Sequence, residues 1–246
     1  MSALGSRGST SRFCEICAAK AAIEPAEQSM EGRRKLRLLC VHGHRQTAKS
    51  FRGRTASLRK RLRHLIGEFV YVDAPIEVSP RADGAKCGAP RRTWVDETLA
   101  GEEAWRAGVD LVAKEAEGCD GILAFSQGAA VVCAALERSE DLRDKLSFVV
   151  LCSGYRPIID DGRGDEVVRV PSLHIFGGRD CQVDLEKSES LVEIFDSGTR
   201  TVLRHDMGHI VPASRTYVED YARFLAKHAQ GGDIGGGDGE DGGGDN

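Results

Sequence analysis

Residues 121 to 136 read GILAFSQGAAVVCAAL, which sets one hydroxyl, Ser126, between a strand-length apolar run and a run of small residues. A serine at a sharp strand-to-helix turn is held above a sheet in strained backbone geometry, poised to attack a carbonyl carbon, and only small neighbours leave room for it. Gly128 supplies one such neighbour and Ala124 the other. The same five residues, AFSQG, also fit an ordinary serine capping a helix. A nucleophilic serine needs a base and an acid to orient that base. GGRD follows SLHIF (172 to 176) and puts Asp180 beyond one apolar run, and HDMGH follows TVLR (201 to 204) and puts His209 beyond the next. The order Ser, Asp, His, each after a strand, is that of an acyl-transfer triad on an alternating α/β chain. His205 and Asp184 are the rivals. His205 sits at a strand end, where a structural hydrogen bond is expected, while His209 lies on a glycine-hinged loop; Asp180 is nearer its strand end than Asp184 and follows two glycines. The developing oxyanion needs two backbone donors: Gln127 N–H, next to the serine, and one from CVHGHRQTAKSF, where His44 is the expected donor and Arg45 its near neighbour.

These groups need a frame. LRLLCV (36 to 41), FVYV (69 to 72), GILAF (121 to 125), FVVLC (148 to 152), SLHIF and TVLR are strand-like runs separated by helical periods. Phe51, Leu58, Leu62, Leu65 and Ile66 share one helical face, as do Trp105, Val109 and Val112, and later Tyr217, Tyr221, Phe224 and Leu225. Alternation of this kind implies an α/β chain with a mainly parallel central sheet and helices on both faces. Reactive groups on such a sheet collect beyond the carboxyl ends of the strands, where Ser126, Asp180 and His209 fall. The basic stretch RTASLRKRLRH reads as the solvated side of the first amphipathic helix.

At 246 residues, 41% of them hydrophobic, the chain can bury one sizeable core. Its net charge of -4 leaves no basic footprint for nucleic acid, and no apolar run is long enough to span a bilayer. Cys40, Cys133 and Cys152 lie in apolar runs, as free thiols in a reducing compartment do, so the expected location is cytoplasmic, with the nucleus compatible. Residues 1–34 have no sustained period and are expected to be a disordered extension. Their opening has the composition of an organelle transit peptide, but Glu15, Glu24 and Glu27 soon follow. The folded domain is expected over 35–229, followed by a disordered Gly/Asp-rich tail over 230–246. Cys14 and Cys17 form a lone C-x-x-C that lacks the second ligand pair of a zinc site and the surroundings of a redox motif.

The segments LCVHGHRQTAKSF, FVYVDAP, RRTWVDE, GILAFSQGAAV, LCSGYRP, VPSLHIFGGRDCQVDLEKSESL and HDMGHIVP, in this order over roughly residues 35 to 229, resemble the small serine hydrolases known from fungi and animals, the family of ovarian-tumour-suppressor-candidate esterases within the α/β-hydrolase superfamily. The resemblance implies an α/β-hydrolase fold and a carboxylesterase-like enzyme with Ser126 as nucleophile, His209 as base and Asp180 as orienting acid. It implies no metal or organic cofactor and a small acyl ester or thioester as substrate. The chain departs from the family pattern at Ala124, Met207 and Asp184; Ala124 and Met207 could crowd the serine turn or the histidine loop, so a binding protein on the same fold that has lost turnover is the competing expectation. The segment from Ile76 to Thr93 carries Arg81, Lys86, Arg91 and Arg92 against Glu77 and Asp83, from which a preference for anionic esters is expected if it covers the site, and none if it faces solvent.

Overall fold

A computed structural model describes residues 34–78, 90–157, 159 and 167–228. Residues 1–33 of the N-terminal extension, with Cys14 and Cys17, the Gly/Asp tail and residues 79–89, with Arg81 and Lys86, lie outside the described residues.

Six parallel strands form the central sheet: β1 (Leu36–Val41), β2 (Ile66–Val72), β5 (Gly121–Phe125), β6 (Phe148–Cys152), β7 (Ser172–Gly177) and β8 (Arg200–His205), in the order β2-β1-β5-β6-β7-β8. Every pairing among them is parallel, so each pair is joined by a crossover and not by a hairpin. All residues of β5 and β6 are buried. That is why these central strands read as unbroken apolar runs: both faces are covered. A separate antiparallel pair, β3 (Ile76–Val78) with β4 (Arg91–Thr93), brackets residues 79–89.

The helices are α1 (Ala48–Arg54), α2 (Ala56–Leu62), α3 (Gly101–Glu115), α4 (Gln127–Arg138), α5 (Glu140–Lys145), α6 (Leu185–Glu193) and α7 (Arg215–His228). Trp105, Val109 and Val112 of α3 and Tyr221, Phe224 and Leu225 of α7 are buried as their spacing predicts, while Tyr217 is half-buried. The first predicted helix is not continuous. It breaks at Thr55 into α1 and α2, and Ile66, expected on its apolar face, is the first residue of β2. The Thr55 hydroxyl bonds Phe51 O at 2.9 Å and meets the Tyr71 hydroxyl of β2, so it serves the sheet as well as the helix. Phe51, Leu58, Leu62, Leu65 and Ile66 are all buried, so the apolar pattern located the core correctly and misplaced only the boundary. No helix among the described residues is long and apolar enough to cross a membrane.

Candidate active site

The turn from β5 into α4 occurs at Ser126, whose backbone has φ 55 and ψ -123. A left-handed φ on a serine costs about 1–3 kcal/mol and persists only where neighbours impose it. Here Ser126 N–H donates to Cys152 O at 2.9 Å, and Ser126 O accepts from Ala129 N at 2.9 Å. Gly128 is needed at the close approach that follows, because a Cβ there would lie 2.5 Å from His42 O and 2.6 Å from Val41 O. Ala124 is fully buried in β5, between Val41 and Leu151 of the neighbouring strands. The Ser126 side chain makes no capping bond to α4, which removes the reading of an ordinary N-cap. It points elsewhere.

Ser126 Oγ lies 2.9 Å from His209 Nε2, and His209 Nδ1 lies 2.6 Å from Asp180 Oδ2. An ionised carboxylate only accepts, so Nδ1–H donates to Asp180 and Nε2 is left to accept from the serine hydroxyl. Asp180 Oδ1 accepts from Gln182 N at 2.8 Å and Val183 N at 3.0 Å. Burial alone would raise the Asp180 carboxyl; the hydrogen bonds from Val183, His209 and Gln182 together outweigh it and hold the acid below its ordinary value. The side chain of Asp180 is 1% exposed and that of His209 9%. The Phe125 ring packs 4.7 Å from the imidazole. The three residues named from sequence therefore form one hydrogen-bonded chain, delivered by the ends of β5, β7 and β8.

The rivals have other tasks. His205 Nδ1 accepts from Met207 N at 3.2 Å, which shapes the loop ahead of His209, and burial lowers its basicity. Asp184 caps α6, with its carboxylate accepting from Lys187 N at 3.0 Å. His174 is packed edge-on against Phe195 in β7. His42 holds the 73–74 turn: Nε2 accepts from Ala74 N at 3.0 Å, so Nδ1–H donates to Gly43 O at 2.8 Å.

His44 and Gln127 line the same cavity as Ser126, a hollow of about 870 Å³. Of the amides flanking His44, Gly43 N donates to Gln46 Oε1 at 3.2 Å and Arg45 N to Arg92 O at 2.8 Å. The Arg45 amide, the alternative second donor, is thus already committed. Gln127 N–H opens α4, where first-turn amides have no partner within the helix.

Sequence reasoning missed what the Gln127 side chain does. Its Oε1 accepts from Trp94 N at 3.1 Å and Thr93 Oγ1 at 3.0 Å, while Trp94 Nε1 donates to His42 O at 2.7 Å. The buried glutamine beside the serine and the buried tryptophan were the available signals. Arg92, expected to charge a lid, turns its guanidinium to Ala74 O at 3.2 Å instead. No cluster of three or more metal-ligating side chains occurs among the described residues.

A parallel sheet with a strained serine turn after its central strand, and an acid and a histidine beyond later strands, defines the α/β-hydrolase fold. The solved structure of SOBER1 from Arabidopsis thaliana has the same fold, with a TM-score of 0.57 at 16% identity over 80% of this chain and all of that one. Within the fold, the chain belongs to the serine hydrolase (FSH1) family, which it matches over residues 30–221. It is 33% identical to Esterase OVCA2 of Danio rerio over 225 residues, covering 78% of this chain and 97% of that protein. It is 34% identical to Rhodanese-like domain-containing protein 6 of Arabidopsis thaliana over 260 residues, covering 87% of this chain and only 44% of that relative's length.

Proposed function

We propose that the protein hydrolyses carboxylic esters, and thioesters by the same chemistry, through an acyl-enzyme on Ser126. The observation that carries this reading is the unbroken chain from Ser126 Oγ through His209 to Asp180, at 2.9 and 2.6 Å, set on a strained turn. His209 Nε2 takes the proton as Oγ bonds to the acyl carbon, and Asp180 holds the tautomer and stabilises the imidazolium. Charge moves onto the carbonyl oxygen, which the Gln127 and His44 amides receive. The bond to the leaving group then breaks, and His209 gives its proton to the departing oxygen or sulfur. Water enters, loses a proton to His209 and attacks the acyl carbon. The acyl–Oγ bond breaks, the acid departs, and the serine recovers its proton. No metal or organic cofactor takes part in these steps.

Membership of a serine hydrolase family and the esterase name of the Danio rerio relative support the reaction class. The test is turnover of a series of activated esters of increasing acyl length, read against the Ser126→Ala protein. Hydrolysis that depends on Ser126 is expected, and equal turnover by the alanine protein would refute the proposal.

A further inference from the structure

Two of the hollows that reach Ser126 differ in which catalytic candidates they share. The cavity of about 870 Å³ has Gln127 in its wall but not His209, and His44 lines both hollows. A cleft of about 420 Å³ is walled by Ser126 and His209 together with Arg45, Arg54 and Arg91. In acyl transfer, the base that takes the serine proton returns it to the departing atom, so the leaving group has to lie on the imidazole side of the serine. The larger cavity is then left for the acyl group.

Charge separates the two spaces as well. In the larger one, Arg156 faces Glu137 at 3.6 Å, Lys187 faces Asp184 at 3.0 Å, and Glu97 adds an acid to the wall. The smaller cleft has three arginines and no acidic residue in its wall, and among the described residues neither Arg54 nor Arg91 has an acid partner. The three come from separate elements. Arg45 stands in the turn after β1 with φ 59, Arg54 ends α1, and Arg91 begins β4. Guanidinium groups converging from unrelated segments suit a phosphate or carboxylate, whose oxygens accept several N–H bonds at once. Beside them a hollow of about 240 Å³, walled by Phe51, Phe125, Ile210 and Val211, takes the carbon skeleton that joins such an anion to the scissile bond.

We infer that the preferred substrates are esters or thioesters whose leaving alcohol or thiol carries an anionic group, phosphate or carboxylate, received by Arg45, Arg54 and Arg91. The inference rests on the roles proposed above for Ser126 and His209. The anion takes no part in bond breaking; it stays on the leaving group and departs with it.

Butyryl esters of glycerol, glycerol 3-phosphate, glycolate and choline share one acyl group and differ in leaving-group charge. Methyl butyrate and methyl hemisuccinate move the carboxylate to the acyl side. The kcat/KM values for the phosphate and glycolate esters are expected to exceed that of the glycerol ester by roughly three- to tenfold, with choline lowest, an advantage that shrinks at high salt. The phosphate and glycolate arms separate the two sources of charge. In the Arg54→Gln/Arg91→Gln protein the ratio of anionic to neutral kcat/KM should fall toward one, and Arg54→Lys/Arg91→Lys should restore much of it. The hemisuccinate-to-butyrate ratio should not follow the arginines. Hydrolysis of all leaving groups alike, or an arginine dependence confined to the acyl pair, overturns the inference while leaving the esterase intact. Failure to hydrolyse any ester, with Ser126 unreactive to a fluorophosphonate, overturns the hydrolase reading itself and the leaving-group assignment with it.

Discussion

The side-chain carbonyl of Gln127 accepts a hydrogen bond from the backbone N–H of Trp94 at 3.1 Å, so the residue after the candidate nucleophile fastens a segment far along the chain to the serine turn. Gln127→Met keeps the volume and removes the acceptor. The Thr93 hydroxyl can turn its one proton to Val95 O at 3.2 Å, but the buried Trp94 N–H, which donates to Gln127 Oε1 in the native protein, is stranded. An unsatisfied buried donor costs about 1–3 kcal/mol, so thermal denaturation should show a clear loss of stability, accompanied by weaker ester turnover. Gln127→Glu, which still accepts, should retain more activity than Gln127→Met.

Gly177 and Gly178 offer a matched pair. A Cβ on Gly177 would lie 2.1 Å from Met207 O and 2.7 Å from His205 Cε1, whereas one on Gly178 would meet only His205 O at 3.7 Å. Gly177→Ala should push the 205–208 segment and displace His209, and a shift of about 1 Å in such a group costs roughly a hundredfold in rate. Gly178→Ala should be close to neutral. Steady-state turnover of the two proteins against wild type checks both.

Asp180 and Asp184 are four residues apart and should behave differently. Asp180→Asn disturbs the imidazole tautomer and is expected to lower kcat by roughly 10³–10⁴-fold with little loss of stability. Asp184→Ala removes an N-cap, which should cost about 1 kcal/mol in a denaturant titration while ester hydrolysis persists.

Acid stability should depend on histidines away from the site. Burial lowers His174 from the ordinary 6.5 to about 3, so it stays neutral in the fold while the unfolded chain binds a proton. The unfolded state therefore holds more protons between those two values, and stability falls as pH drops from 6.5 toward 3. His42 and His205 are lowered by burial too and act in the same direction. A His174→Gln protein should show a flatter loss of melting temperature over this range than wild type; an unchanged slope would contradict the assignment.

The strands of the sheet are legible in the sequence because GILAF and FVVLC are buried on both faces, which leaves no polar residue to blur them. Ser126, Asp180 and His209 are legible because the parallel topology fixes where strand ends fall, and chain order does the rest. The break at Thr55 is not, and the Tyr71 hydroxyl that its side chain meets lies 16 residues later. Neither is β4, whose Arg-Arg-Thr has no apolar signal and pairs with β3 and, through Arg92, with Gln46. The bond between Gln127 and Trp94 and the gathering of Arg45, Arg54 and Arg91 are tertiary facts, set by distances no local pattern encodes. Of the four basic residues expected to charge a lid, Arg81 and Lys86 lie outside the described residues, Arg91 lines the cleft beside Arg45 and Arg54, and the Arg92 guanidinium bonds Ala74 O.

The central claim is that Ser126 is a nucleophile activated by His209. Reaction of the whole protein with a fluorophosphonate probe, followed by mass spectrometry of its peptides, tests it most directly. A single adduct on Ser126 is expected, absent from Ser126→Ala and formed far more slowly by His209→Ala. Undiminished labelling of the Ser126→Ala protein, or an adduct on another residue, would contradict the account.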